Sequence, residues 1–149
     1  MRINLYCIAK NQQEEELVVH YQKLCRQFGA ELRIFNIFNA DILQAQKKSQ
    51  KEARASYTRA LSSYLKQGRN VILHPDGKMV DSFGFSKILQ ENVVNFFIGG
   101  AYGFDEDFLS QGKTLSLSPL TFAHKVAKII LCEQFYRGLS ILNHHPYHK

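Results

Sequence analysis

Two short stretches carry residue types suited to holding a small ligand. The first is Gly99-Gly100, which follows directly on the apolar run Val93-Val94-Asn95-Phe96-Phe97-Ile98. Adjacent glycines let a ligand approach the backbone closely and permit a positive φ, although a tight turn after a buried strand uses the same residues. The second is Leu117-Ser118-Pro119-Leu120-Thr121-Phe122, where hydroxyls mix with apolar side chains. Pro119 has no amide to donate, so this segment is a loop. Its free carbonyls and amides suit the edge of a purine nucleoside better than a polyphosphate. A third strand end, Leu73-His74 before the turn Pro75-Asp76-Gly77, joins them, because open α/β sheets bind ligands beyond the carboxyl ends of their strands.

Signatures for phosphate chemistry are missing. No GxxxxGK[ST] loop occurs, and a GxGxxG fingerprint would need glycine where Ile98 stands, with an acid about twenty residues further on. A nucleotide hydrolase is therefore disfavoured. The histidines His144, His145 and His148 surround Tyr147, but no Cys or carboxylate nearby completes a metal-ligand set. No metal is expected; a basic aromatic tail that folds over a nucleotide fits better. Upstream, Arg137 either clamps a phosphate or base or pairs with Glu133 four residues earlier, and spacing does not choose between the two. Cys7, Cys25 and Cys132 form no CxxC pair, which points to reduced, buried thiols rather than a disulfide framework or zinc ribbon.

The elements that position these residues alternate. Arg2 to Ala9 predicts a strand, and Glu14 to Phe28 a helix with an acidic start and apolar Leu17, Tyr21, Leu24 and Phe28 at helical spacing. Gly29 stops it. Glu31 to Phe38 predicts a second strand. Asp41 to Gln67 reads as one long helix capped by Asp41 and ended by Gly68. It carries Lys47, Lys51 and Arg54 on one face, with Lys48 and Arg59 near, either a solvated face or an RNA-contact face. Strands follow at Asn70 to His74, Val93 to Ile98 and Lys113 to Ser116. Helices are expected at Ser82 to Glu91, from Asp105-Glu106-Asp107, and from Phe122 to Leu142 with Thr121 as cap. The alternation predicts an α/β fold, a mainly parallel sheet sandwiched by helices.

The 149 residues, 45% hydrophobic and 21% charged, suit a single domain over 1–149. No apolar run approaches the ~20 residues of a membrane span, and the N-terminus lacks signal-peptide features, so a cytoplasmic protein with no membrane partner is expected. The net charge of +6, from 19 Lys plus Arg against 13 Asp plus Glu, favours an anionic partner such as nucleic acid.

Several segments, in this order, resemble the ribosomal RNA large subunit methyltransferase H family of the SPOUT superfamily. They are Ile98-Gly99-Gly100 with Gly103, Leu115-Ser116-Leu117-Ser118 with Leu120-Thr121-Phe122 and His124, Glu133-Gln134 with Tyr136-Arg137, and the terminal His145-Pro146-Tyr147-His148-Lys149. The resemblance runs end to end. It implies a C-terminal deep trefoil knot, a homodimer packed through it, and S-adenosylmethionine (S-adenosyl-L-methionine) as methyl donor. The implied reaction is methylation of N3 of a pseudouridine in 23S rRNA on the assembled ribosome. Carried over by position, the donor meets Leu73, Gly99, Leu117, Ser118, Pro119, Leu120, Thr121 and Phe122. The implied catalytic group is Arg137, Tyr147 and His148, with Tyr136, His145 and Lys149 toward RNA. The sequence departs from the family pattern at His74, Ala123 and Lys128, which touches local contacts. Two other readings stand beside it: a SPOUT-like protein that binds RNA or ribosomes without catalysis, and a SPOUT enzyme acting on tRNA.

Overall fold

β-branched and aromatic residues concentrate in five segments, and these form the sheet. The computed structural model describes residues 1–149. Its strands are β1 (Arg2–Ile8), β2 (Glu31–Ile37), β3 (Arg69–Lys78), β4 (Val93–Ile98) and β5 (Lys113–Leu115). They lie in the order β2-β1-β4-β3-β5, and every pairing is parallel. The helices are α1 (Glu16–Arg26), α2 (Ala40–Lys48), α3 (Gln50–Leu61), α4 (Ser82–Ile88), α5 (Glu106–Leu109) and α6 (His124–Leu142), with a 3₁₀ turn over Ser62–Lys66. The expected α/β sandwich is thus present.

Period-two alternation divides the core across the sheet. Ile3, Leu5 and Cys7 of β1 join Val94 and Phe96 of β4 and Leu131, Cys132 and Phe135 of α6 on one face. Tyr6, Ile8 and Phe97 join Ile42, Ala53, Tyr57 and Phe108 on the other. β4 is central and buried on both faces, as its unbroken apolar run requires. One polar rung crosses this interior: Asn4 Nδ2 donates to Asn95 Oδ1 at 2.8 Å, and Asn95 Nδ2 donates in turn to Asn70 Oδ1 at 3.0 Å.

The long helix expected over Asp41 to Gln67 is broken. Ser49 is fully extended, at φ −166° and ψ 165°, and its hydroxyl accepts the Glu52 amide at 3.1 Å. A serine in mid-pattern thus ends α2 and caps α3. The cap of α2 is Asn39, which accepts from Ile42 N, rather than Asp41; the Asp41 carboxylate instead binds Arg59 at 2.9 Å. Gly68 does close the segment, at φ +83°.

Smaller departures have local causes. In α1 the fully buried positions are Val18 and Cys25, while Leu17 is 52% exposed. The Pro75-Asp76-Gly77 turn does not end β3; it is an irregularity in it, with Leu73 and Lys78 both registering against Leu115. A Cβ at Gly77 would lie 2.7 Å from the Leu115 amide nitrogen, so this close approach requires glycine. α4 stops at Ile88, and α6 begins at His124 after Ala123, with no side-chain cap from Thr121.

Candidate active site

A cleft of about 800 Å³ opens beyond the carboxyl ends of β3, β4 and β5. Leu73 ends the regular part of β3, the Gly99–Gly103 turn leaves β4, and the loop after β5 runs to the start of α6. Seven residues expected to hold the donor line it together: Leu73, Gly99, Leu117, Ser118, Leu120, Thr121 and Phe122. Pro119 is exposed and does not line it.

The glycine turn is a built feature. Gly103 N donates to Gly100 O at 3.1 Å, and Gly103 sits at φ +71°. A Cβ on Gly99 would lie 3.2 Å from Gly103 backbone and 3.3 Å from the Phe104 ring, so the closed turn leaves little room for a side chain there. A Cβ on Gly100 would collide with Tyr57 at 2.6 Å. From α3, Arg54 Nε donates to Tyr102 O at 2.8 Å and anchors the turn from outside. Arg54 therefore lines the cleft and does not continue an exposed basic face. Lys47 and Lys51 are exposed, but they fall on either side of the break at Ser49.

The loop after β5 is held by its own hydroxyls. Ser116 Oγ donates to Ser118 O at 3.1 Å, and Leu120 N donates to Ser118 Oγ at 3.0 Å. The first turn of α6 has no side-chain cap, and Ala123, His124 and Ala127 line the cleft. The positive end of a 19-residue helix dipole thus borders the cavity. Signals in the sequence did not point to Tyr102, Phe104 or Glu106, which also line it; the Arg54–Tyr102 bond joins residues 48 apart, beyond any local pattern.

The second expected group gathers elsewhere, around Glu133. Arg137 Nε donates to Glu133 Oε1 at 2.9 Å, and Tyr147 hydroxyl donates to the same oxygen at 3.0 Å. Arg137 Nη1 lies 3.2 Å from His148 Nδ1, and its guanidinium stacks 4.8 Å from the Tyr147 ring centroid. Of the two readings of Arg137, the pairing with Glu133 is present, and the remaining guanidinium edge faces His148. The Glu133 hydrogen bond raises the Arg137 pKa further, so the guanidinium stays charged. Burial, contact with Tyr21 and the bond to Glu133 push the Tyr147 hydroxyl up, so it remains a donor.

Tyr136 is 5% exposed and belongs to the core. Its ring packs 4.6 Å from Tyr147 and 5.8 Å from Phe28, so in this chain it supports the tail from beneath rather than facing RNA. His145 lies 5.6 Å from Phe28, and Phe83 meets His148 edge-on at 5.0 Å; Lys149 is exposed. The tail is packed on α1, α4 and α6, and none of its residues lines the cleft. No group of three His, Cys, Asp or Glu is placed to hold a metal ion, and no helix is long and apolar enough to cross a membrane. All three cysteines are free and buried; burial raises Cys7 and Cys25 to about 12.

Fold and cleft together define a parallel α/β protein with a nucleoside-sized site at a set of strand ends. The family described as "Predicted SPOUT methyltransferase" matches residues 1–148, and the chain belongs to it. Among curated relatives, proteins from Wolinella succinogenes (52% identical), Helicobacter pylori (51%) and Helicobacter hepaticus (48%) match over 100% of both chains. Each is named "Ribosomal RNA large subunit methyltransferase H". A solved candidate RNA methyltransferase from Bacillus anthracis shares the fold at TM-score 0.51 and 15% identity, over 99% of this chain and 97% of that one. The chain is a methyltransferase, and its family uses a donor of the S-adenosylmethionine type.

The residues present fit such a donor. The cleft lies within the ~300–1,000 Å³ usual for ligand sites. More than half of its lining residues are hydrophobic, 12 of 22, which suits an adenine ring. The uncapped start of α6 suits a carboxylate.

Proposed function

We propose that this protein methylates N3 of a pseudouridine in 23S rRNA, on the assembled ribosome, as a homodimer using S-adenosylmethionine. The observation that carries the geometric part is the convergence of Leu73, Gly99 and the 117–122 loop on one cleft. The substrate follows from full-length relatives named for the large-subunit ribosomal RNA. A ribosomal substrate places the enzyme in the cytoplasm.

The bound donor supplies a methyl group already activated by its sulfonium. What the chain adds is orientation and charge. Leu117, Leu120 and Phe122 would hold the apolar part of the donor, and backbone groups of the 117–122 loop would meet its polar edge. The uridine-type N3 proton is weakly acidic and passes to solvent water as the N–C bond forms and the S–C bond breaks, so charge developing on the base needs a nearby cation. Arg137, held by Glu133 and facing His148, is that cation, and Tyr147 fixes its plane by stacking.

Within one chain the Arg137 group and the cleft are separate, which supports a composite site: one subunit's tail meets the partner's cleft. Leu120 (71% exposed) and Val126 (45% exposed), on the cleft loop and the start of α6, are apolar side chains suited to a subunit contact. The trefoil knot implied by the resemblance belongs to the same C-terminal region, and the whole chain acts as one domain.

Thr121→Trp tests the donor placement. Thr121 is exposed at the cleft, so an indole there fills the cavity without disturbing the core. Isothermal titration should show S-adenosylmethionine affinity falling at least about tenfold with an unchanged melting temperature. Undiminished affinity would place the donor elsewhere.

A further inference from the structure

The helices α2 and α3 do not cover the whole of their sheet face. They pack over the carboxyl half, where Ile8, Ile72 and Phe97 are buried, and toward the amino half of β1 the 3₁₀ turn takes their place, with Tyr64 over Tyr6. There a second cavity of about 330 Å³ is lined by Arg2, Asn4 and Tyr6 of β1, Arg33 and Phe35 of β2, and Tyr64 and Lys66 of the 3₁₀ turn. Register explains the grouping: Asn4 pairs with Arg33 and Tyr6 with Phe35, so alternate side chains of adjacent strands emerge together. Three rises along β4, from Asn95 to Ile98, separate the lining of this cavity from that of the donor cleft by about 10 Å.

Two properties of this cavity coincide. Its aromatic rings form a stack: Tyr6 lies 4.9 Å from Phe35 at 15° and 4.5 Å from Tyr64 at 27°. Tyr64 is still 36% exposed, so the stack ends at solvent. The charges in the lining are Arg2, Arg33 and Lys66, with no acid among them; Glu31 stands at the margin, bound to Arg33 at 2.8 Å. An exposed ring among cations is the combination that binds unpaired nucleotides, the base stacking and the phosphates meeting the cations.

We infer that this cavity is a second RNA contact, which takes one unstacked base of the ribosomal substrate on Tyr64 and its flanking phosphates on Arg2, Arg33 and Lys66. The inference rests on the ribosomal RNA reading given above. It supplies the small enzyme with a grip on its substrate outside the donor cleft. Binding here affects capture of the particle and leaves the donor site alone.

The test uses the full chain with 50S or 70S particles and, separately, an oligoribouridine octamer. Tyr64→Ala should raise the apparent KM for particles about tenfold, with kcat and donor affinity unchanged and a melting temperature lowered only by the loss of the stack on Tyr6, while Tyr64→Phe keeps the wild-type KM. The double variant Arg33→Ala/Lys66→Ala should flatten the salt dependence of octamer binding by about 1.4 in log–log slope. Unchanged KM and slope would overturn the inference, as would a Tyr64→Phe variant as damaged as Tyr64→Ala. Ultraviolet crosslinking of the Tyr64 segment to a ribosomal protein instead of rRNA would also overturn it. If the wild-type enzyme fails to methylate particles, the ribosomal reading falls by itself, and octamer binding still tests the cavity.

Discussion

Glu133 holds together a group that the sequence could only offer as alternatives. Its carboxylate receives Arg137 and Tyr147 together, and both members of the ion pair are less than a quarter exposed, at 24% and 21%. Arg137→Ala leaves this carboxylate half-buried without its cation, so the variant should lose stability as well as rate. Methyl transfer should fall about 10²-fold if the guanidinium stabilises charge on the base. Donor affinity should not change, because Arg137 does not line the cleft; a parallel fall in donor affinity would show that Arg137 helps to hold the donor as well. The cysteines give an independent check on the core. Burial keeps Cys7 and Cys25 protonated up to about pH 12, and only the thiolate is nucleophilic. At pH 8, iodoacetamide should label neither in the native protein and both after denaturation, as read by intact-mass spectrometry. Native labelling would mean that the α1–α6 layer opens readily.

At the scale of elements, the strands were legible because burial on one or both faces writes period two or an unbroken apolar run into the sequence, as in Arg2–Ile8 and Val93–Ile98. Helix breaks were less legible. Ser49 lies inside a continuous helical pattern, and only its extended backbone and its bond to Glu52 N reveal a cap. Ser49→Ala should cost about 1 kcal/mol in urea unfolding and leave methyl transfer intact; a larger loss would mean that the α2–α3 joint carries more than a cap. The two loops of the cleft could be read from glycines and hydroxyls at strand ends, whereas Arg54 could not. Its bond to Tyr102 depends on tertiary placement, so sequence reasoning left it on a basic helical face with Lys47 and Lys51. The tail was legible as chemistry but not as packing, since nothing local shows Tyr136 and Phe28 forming its bed. Removal of Asn143 to Lys149 should therefore expose Tyr136 and lower the melting temperature somewhat, while donor binding persists and methylation of ribosomes collapses. A tailless protein that methylates at the normal rate would remove the tail from the mechanism.

For the whole molecule, a 17.2 kDa chain has to hold a donor and address a ribosome. Its donor cleft and its Arg137 group sit apart within the chain, and the homodimer proposed above would bring them together. Sedimentation equilibrium at micromolar concentration should give twice the chain mass, and Leu120→Lys should shift it toward the single chain, because it places a charge on an exposed apolar position next to the cleft. A wild-type protein that sediments only as a single chain would leave the composite site without its second half. The most direct measurement incubates the purified protein with labelled S-adenosylmethionine and 50S or 70S particles from a strain lacking the enzyme, followed by nuclease mapping and mass spectrometry of the 23S rRNA. One added methyl group is expected at N3 of a single pseudouridine, lost with Thr121→Trp and with Arg137→Ala. Transfer to tRNA instead, or donor binding with no transfer to any ribosomal particle, would contradict it.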